Sequence, residues 1–339
     1  MKIDMHTHVL PEDWPDFREE FGYGGWIRLD HHRDGWARMM KDDTFFREIN
    51  SNCWNDPCRL KDCDRDGVDV QVISTVPVMF AYWANARHAH RVSQVLNDDL
   101  AERCAAHPDR FVALASVAMQ AQELAVEELT RAMALPGMRG VQIGSHVEGK
   151  NLDHEDFYGF WEACESLDAA VLVHPWDMMG MDTLPDYWLP WLVSMPAETA
   201  RAMCCMMMGG ILERYPKLRV CFAHGGGSFP GTLGRIMHGW QARPDLCQTR
   251  TKTPPSDLLD RVYIDSAVHD ERSLRWVMDV MGADRIMMGS DYPFPLGEAH
   301  PGKMIEDMKL DSAVQDRLLA GSALEWLGMT AADFSRGGA

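Results

Sequence analysis

Eight short runs rich in β-branched and other apolar residues recur along the chain, each followed by a longer segment with helical spacing. They are KIDMHTH at the start, VDVQVIST from Val68, FVALASV from Phe111, GVQIGSH from Gly140, AAVLVHP from Ala169, LRVCFAHGGG from Leu218, RVYIDSA from Arg261 and RIMMGSD from Arg285. Nearly continuous apolar runs of this length suit parallel strands covered on both faces. Eight of them alternating with helices predict an α/β protein built on a (β/α)8 TIM barrel; a doubly wound sheet satisfies the same pattern.

The first connection breaks the rhythm. Nearly all residues from 9 to 54 precede the first barrel helix, which begins near Asp56 and Pro57, and that is too long for a plain loop. FGYGGWIRLDHH and MMKDDTFFREIN within it combine Gly-rich turns with aromatic, β-prone residues. They predict a small antiparallel, β-rich subdomain (9–54) inserted after the first strand, at the C-terminal face of the barrel, where it walls an active site. A second irregular stretch, HPWDMMGMDTLPDYWLPWLVSMPAE, follows the fifth run and holds three of the chain's twelve tryptophans. Residues 1–327 are expected to form the barrel domain, with 328–339 a frayed tail.

Composition excludes several roles. The 339 residues carry 33 basic against 51 acidic side chains, a formal charge of −18, which disfavours nucleic acid and anionic membranes as partners. The longest apolar run, AMCCMMMGGIL from Ala202 to Leu212, is too short to span a bilayer. Lys2, Asp4, His6 and His8 leave no room for the apolar centre of a signal peptide, so a cytoplasmic address is expected. Nine cysteines without a secretory signal read as reduced thiols. Cys53, Cys58 and Cys63 recur at equal intervals, but with no CxxC pair they do not read as a zinc site.

The chemistry collects at the ends of the runs. In a strand, residues two apart share a face, so His6 and His8 project together. His174 ends the fifth run, His224 lies in the sixth and Asp291 ends the eighth, and the C-terminal ends of barrel strands carry the active sites of this fold. Three neutral imidazoles and a carboxylate suit one Zn2+ ion, with a water completing its shell; iron, manganese or cobalt fit the same ligands. The fourth run offers no bridging Lys or Glu for a second ion, and His146 is a rival ligand there. His224, just before Gly225, Gly226 and Gly227, is either a ligand or a general acid/base beside the metal.

Taken together, DMHTH, SNCW, STVPVMF, VQIG, HPWDM, YWLPWLV, MPAE, CFAHGGGSFP and GSDYPFPLG resemble the amidohydrolase superfamily, in particular its decarboxylases of 2-amino-3-carboxymuconate 6-semialdehyde. The likeness runs from Met1 to about Leu327. It implies a barrel with a small inserted subdomain and a single zinc held by His6, His8, His174 and Asp291, with no organic cofactor. His224 becomes the acid/base, and Asp291 shares in catalysis. Arg47 and Arg235 are implied to bind substrate carboxylates, Arg235 from the other subunit of a homodimer, while Trp188, Trp191, Met178 and Phe294 line the pocket's apolar side. The implied reaction is non-oxidative decarboxylation to 2-aminomuconate 6-semialdehyde and CO2 in the kynurenine route of tryptophan catabolism. The site's residues alone leave a hydrolase, or a decarboxylase of a hydroxybenzoate-type acid, equally open.

Overall fold

A computed structural model describes residues 1–334. In chain order the strands are β1 (Ile3–Val9), β2 (Ile27–Arg33), β3 (Trp36–Lys41), β4 (Thr44–Asn50), β5 (Val70–Thr75), β6 (Phe111–Ala115), β7 (Met138–Gly144), β8 (His146–Val147), β9 (Lys150–Asn151), β10 (Ala170–His174), β11 (Arg219–Phe222), β12 (Val262–Asp265) and β13 (Ile286–Met287). Eight of them form one sheet in the order β1-β5-β6-β7-β10-β11-β12-β13. These are the eight apolar runs, in sequence and parallel. The ring closes where the Met5 N–H donates to the Met288 carbonyl at 2.9 Å and the His8 N–H to the Tyr292 carbonyl at 2.8 Å. The chain is a (β/α)8 barrel.

Helices Asp56–Asp66, Ala86–Ala106, Gln122–Ala132, Tyr158–Ser166, Met195–Met208, Phe229–Ala242 and Glu271–Met281 fall between successive barrel strands. Local sequence starts several of them: the side chains of Asn55, Asn85 and Asp270 accept from the N–H groups of Cys58, Arg87 and Ser273. Outward-facing Val141, Ile143, Val171, Val173, Val220 and Phe222 pack with Phe160, Trp161, Met203 and Met206 of the helices. Inward-facing Val70, Val72, Leu114, Leu172 and Cys221 form a separate core with Trp326, Leu327 and Phe334. That core fills one end of the barrel, leaving the C-terminal strand ends to polar residues. No helix among the described residues is long and apolar enough to cross a membrane.

The tail expected to fray beyond Leu327 does not do so at once. It makes a turn at Ala331–Phe334 whose Phe334 ring is buried in the inner core, because a large aromatic gains more from burial than a short segment loses in ordering. Residues 335–339, the rest of that tail, lie outside the described residues.

The first connection holds a short helix, Phe17–Phe21, and the antiparallel sheet β2-β3-β4. Ala37, Met39 and Ile49 of this sheet pack with Val76 and Met79 after β5 and with Ala89 and Val92 of Ala86–Ala106. The insert is thereby fastened beside the C-terminal ends of the barrel strands. After β10 the chain is irregular to Leu189, then makes one π-helical turn, Pro190–Ser194, before the helix Met195–Met208. Tyr187 and Trp188 both take left-handed φ angles there, +57° and +59°.

Candidate metal centre and substrate pocket

The two histidines of β1 reach their common face with the help of a bulge. Ile3 pairs with Val70 and Asp4 with Gln71, but the next pair is Thr7 with Ile73, so β1 carries one extra residue. Ile3 and Met5 belong to the inner core; beyond the extra residue, His6 and His8 turn toward the same interior. Re-aiming side chains next to a site is a common use of a bulge. The Nε2 atoms of His6 and His8 lie 3.2 Å apart. Asp291 places Oδ1 3.1 Å from His8 Nε2 and 3.6 Å from His6 Nε2. One donor atom each from His6, His8, His174 and Asp291 lie within 4.8 Å of one another, and all four residues are buried at these atoms.

The hydrogen bonds behind these atoms define their chemistry. His6 Nδ1 faces Asp265 Oδ2 at 2.7 Å, His8 Nδ1 the Thr75 carbonyl at 3.0 Å and His174 Nδ1 the Pro175 carbonyl at 2.9 Å. Each acceptor can only receive a proton, so each imidazole donates from Nδ1 and turns an Nε2 lone pair inward. His174 Nε2 is buried with no hydrogen-bond partner. Three lone pairs and a carboxylate oxygen converging without a proton among them repel one another; a cation at their centre satisfies all four. The residues therefore fit a divalent metal. Burial lowers the pKa of His8, and burial with the neighbouring imidazoles lowers that of His174 still further. Burial also pushes Asp291 up, yet the His224, His8 and His6 imidazoles outweigh it and hold the carboxyl well below its usual range.

His224 stands beside this group rather than in it. Its ring centroid is 4.9 Å from that of His174 and 5.2 Å from that of His6, and its Nε2 is 3.7 Å from Asp291 Oδ2. Its φ of +56° is a left-handed conformation uncommon outside glycine. Asp265 secures it. Oδ2 accepts from the His224 N–H at 2.8 Å as well as from His6, and Oδ1 accepts from the N–H groups of Gly225 at 2.8 Å and Ala267 at 3.0 Å. One fully buried carboxylate thus orients both His6 and His224. Gly225 has φ +62°, and a Cβ on it would meet Val268 Cγ1 at 2.3 Å, so the glycine is required by both space and conformation.

Above the centre is a pocket lined by His8, His174, Asp291, Arg47, Phe46, Trp176, Trp188, Trp191, Met195 and Phe294, among others. Arg47 comes from β4 of the insert. Its guanidinium stacks 4.7 Å over Phe294 and 5.6 Å from Phe46, and burial lowers its pKa against the pull of Asp291. Met178 lines an adjoining recess with Lys41, Trp176 and Trp191 instead of the space over the metal centre. Arg235 is exposed on the helix Phe229–Ala242 and does not line the pocket of its own chain. His146 also stays apart, its Nε2 bonded to the Asp177 carbonyl at 3.0 Å. Cys53, Cys58 and Cys63 belong to no metal-holding group among the described residues.

Sequence reasoning missed Asp265 and Trp176. Asp265 ends the strand of the seventh run, in the same strand-end position that singled out the ligands, and Trp176 follows His174 by two residues in HPWDM.

Comparison with known proteins agrees with this architecture. The amidohydrolase family profile matches residues 3–329. A Dictyostelium discoideum protein named 2-amino-3-carboxymuconate-6-semialdehyde decarboxylase is 51% identical over 97% of this chain and 92% of its own length. One of the same name from Caenorhabditis elegans is 42% identical over 92% and 90% of the two chains. A crystal structure of 5-carboxyvanillate decarboxylase from Novosphingobium aromaticivorans, complexed with manganese and 4-hydroxy-3-methoxy-5-nitrobenzoic acid, is 25% identical with a TM-score of 0.73 over 80% of each chain. The chain belongs to the amidohydrolase family and, within it, groups with the 2-amino-3-carboxymuconate-6-semialdehyde decarboxylases.

Proposed function

We propose that this chain is a metal-dependent carboxy-lyase that converts 2-amino-3-carboxymuconate 6-semialdehyde to 2-aminomuconate 6-semialdehyde and CO2. The observation that carries this is the pairing of a buried His/His/His/Asp cluster with Arg47 across a largely apolar pocket. The names and identities of the relatives from Dictyostelium and Caenorhabditis support the choice of substrate. The resident ion is a single zinc, the cell compartment the cytoplasm, and the metabolic setting the kynurenine route of tryptophan catabolism.

A bound divalent metal supplies positive charge against the electron pair that the departing CO2 leaves behind. The chain's own residues do the rest. Arg47 offers a planar fork of N–H donors, desolvated and stacked in place, to a substrate carboxylate. Phe46, Trp176, Trp188, Trp191 and Phe294 exclude water, which strengthens that attraction. When the carbon–carboxylate bond breaks, its electron pair stays on the substrate carbon, and that carbon must gain a proton. His224, fixed beside the metal centre by Asp265, is the group placed to hold and deliver it. Arg235 completes the site from the second subunit of a homodimer, which accounts for an arginine left exposed on its own chain.

The test supplies the freshly generated semialdehyde to the metal-loaded protein, following loss of its absorbance and release of CO2. Hydroxybenzoate-type acids are run in parallel. Turnover of those acids with none of the semialdehyde would return the reaction to the γ-resorcylate type, for which a Rhizobium relative 28% identical over 70% of this chain is named.

A further inference from the structure

Arg59 is hard to explain by packing alone. It lies in the helix Asp56–Asp66 and is 1% exposed. Among the described residues no carboxylate pairs with it. Its donors go to neutral groups: one terminal nitrogen donates to Gln71 Oε1 at 2.9 Å and the other to the backbone carbonyl of His8. Its guanidinium carbon lies 4.7 Å from the centre of the Tyr292 ring. A buried cation without a counter-ion is costly, and an apolar side chain of similar volume fills such a space at lower cost. The cost is explained if the groups it holds must be held.

Those groups stand on the two sides of the barrel's seam. His8 is one of the four residues of the metal centre, and Tyr292 follows another, Asp291. Their donor atoms face each other across the seam at 3.1 Å. The ladder there is thin, because β13 contributes two residues and beyond Met287 single backbone bonds carry the connection, among them His8 N–H to the Tyr292 carbonyl at 2.8 Å. Three residues further along the helix, Asp62 accepts from the Tyr292 hydroxyl at 2.7 Å. The helix therefore grips both sides. We infer that Arg59 is a positioning residue for the metal centre, fixing the spacing of the His8 and Asp291 donors by holding the His8 carbonyl and the Tyr292 ring together. This rests on reading the four-residue cluster as a metal site.

The test compares the whole protein with Arg59→Lys, Arg59→Met and Gln71→Met. Zinc affinity is measured by competition with a chromophoric chelator, the visible spectrum of the cobalt-loaded protein reports ligand geometry, and urea unfolding of the metal-free protein reports the fold. Arg59→Lys keeps the charge but loses the fork and the flat stack. It is expected to weaken zinc binding by roughly 10–100-fold, the usual effect of removing support behind a ligand, and to alter the cobalt spectrum. Gln71→Met, which frees one edge of the guanidinium, should show a smaller loss of the same kind. If Arg59→Met does not fold, these two decide. Variants that are less stable in urea but match the wild type in zinc affinity and cobalt spectrum would make Arg59 merely structural and overturn the inference. A wild-type protein that takes up neither ion would instead remove the metal reading on which it rests.

Discussion

Replacing Asp265 with Asn changes one buried atom and should disturb two functional residues at once. The carboxylate accepts four N–H bonds, from His6 and His224 on Oδ2 and from Gly225 and Ala267 on Oδ1. An amide of the same shape has only one accepting atom. If its oxygen faces His6 and His224, its NH2 group meets the N–H groups of Gly225 and Ala267 donor to donor. Two orphaned buried donors cost about 1–3 kcal/mol each, or roughly 2–6 kcal/mol in all. If the amide is turned the other way, His6 must move its proton to Nε2 to accept from it, which removes the lone pair aimed at the metal, while the His224 N–H loses the bond that steadies its left-handed φ. The loss is large beside the ~5–15 kcal/mol that holds a typical domain together, but does not exceed it. The variant should fold with a lowered urea midpoint, bind zinc ~10–100-fold more weakly and lose kcat beyond what restored metal saturation recovers. Equilibrium unfolding of the metal-free protein, chelator competition and kinetics at saturating zinc separate the three effects. Wild-type zinc affinity together with wild-type kcat at saturation would refute the claim that this carboxylate orients both histidines.

Three further outcomes follow from the geometry. His224→Ala should retain its metal and lose roughly 10^2–10^4 in kcat, whereas His174→Ala should lose metal and activity together, as elemental analysis beside steady-state kinetics will show. Arg47→Ala and Arg235→Ala should each be nearly inactive alone, while a doubly tagged mixed dimer of the two should recover about half of wild-type activity through its one intact site; an inactive hybrid would refute the contribution of Arg235 across the interface, and an active Arg235→Ala variant would return Arg235 to a surface role. Glu298, pushed up to about 7 by burial and the Asp4 and Asp265 charges, binds its proton more tightly when folded than unfolded, so stability should fall as pH rises from the unfolded value near 4.5 through about 7. Glu298→Gln should remove that slope and gain up to ~3 kcal/mol at pH 8 in urea titrations, and an unchanged pH profile would contradict the assignment.

How far the chain could be read before its structure was in hand depends on the kind of signal each feature leaves. The barrel was legible because eight parallel strands buried on both faces must be written as continuous apolar runs, and β1, β5, β6, β7, β10, β11, β12 and β13 fall on those runs. The four-residue cluster was legible because the C-terminal ends of barrel strands face one common site, and His6, His8, His174 and Asp291 are residues of metal-ligating type at or just beyond those ends. The bulge in β1 left no trace, since pairing with Val70, Gln71 and Ile73 is a property of two strands together. Met178 illustrates a finer limit: an apolar residue in a pocket-forming loop is expected to line something, but which of two adjoining recesses it lines depends on the three-dimensional path of the loop.

The residues that hold the ligands were the least legible, for a physical reason. A metal accepts only a few side-chain types, so composition narrows the search for its ligands. Support for a ligand can come from any donor or acceptor, and here it comes from the Thr75 and Pro175 carbonyls, from Asp265 and, through the His8 carbonyl, from Arg59. Backbone carbonyls are present at every position and carry no sequence signal. Asp265 and Arg59 do carry one, but of different kinds. Asp265 obeys the strand-end rule that identified the ligands, so the rule applied once more would have found it. Arg59 lies in a helix whose other residues are mostly polar, where a surface charge is the ordinary expectation, and only its burial against the seam sets it apart. The geometry of the ligands therefore depends on two sets of positions, one visible in residue type and the other visible only in the fold.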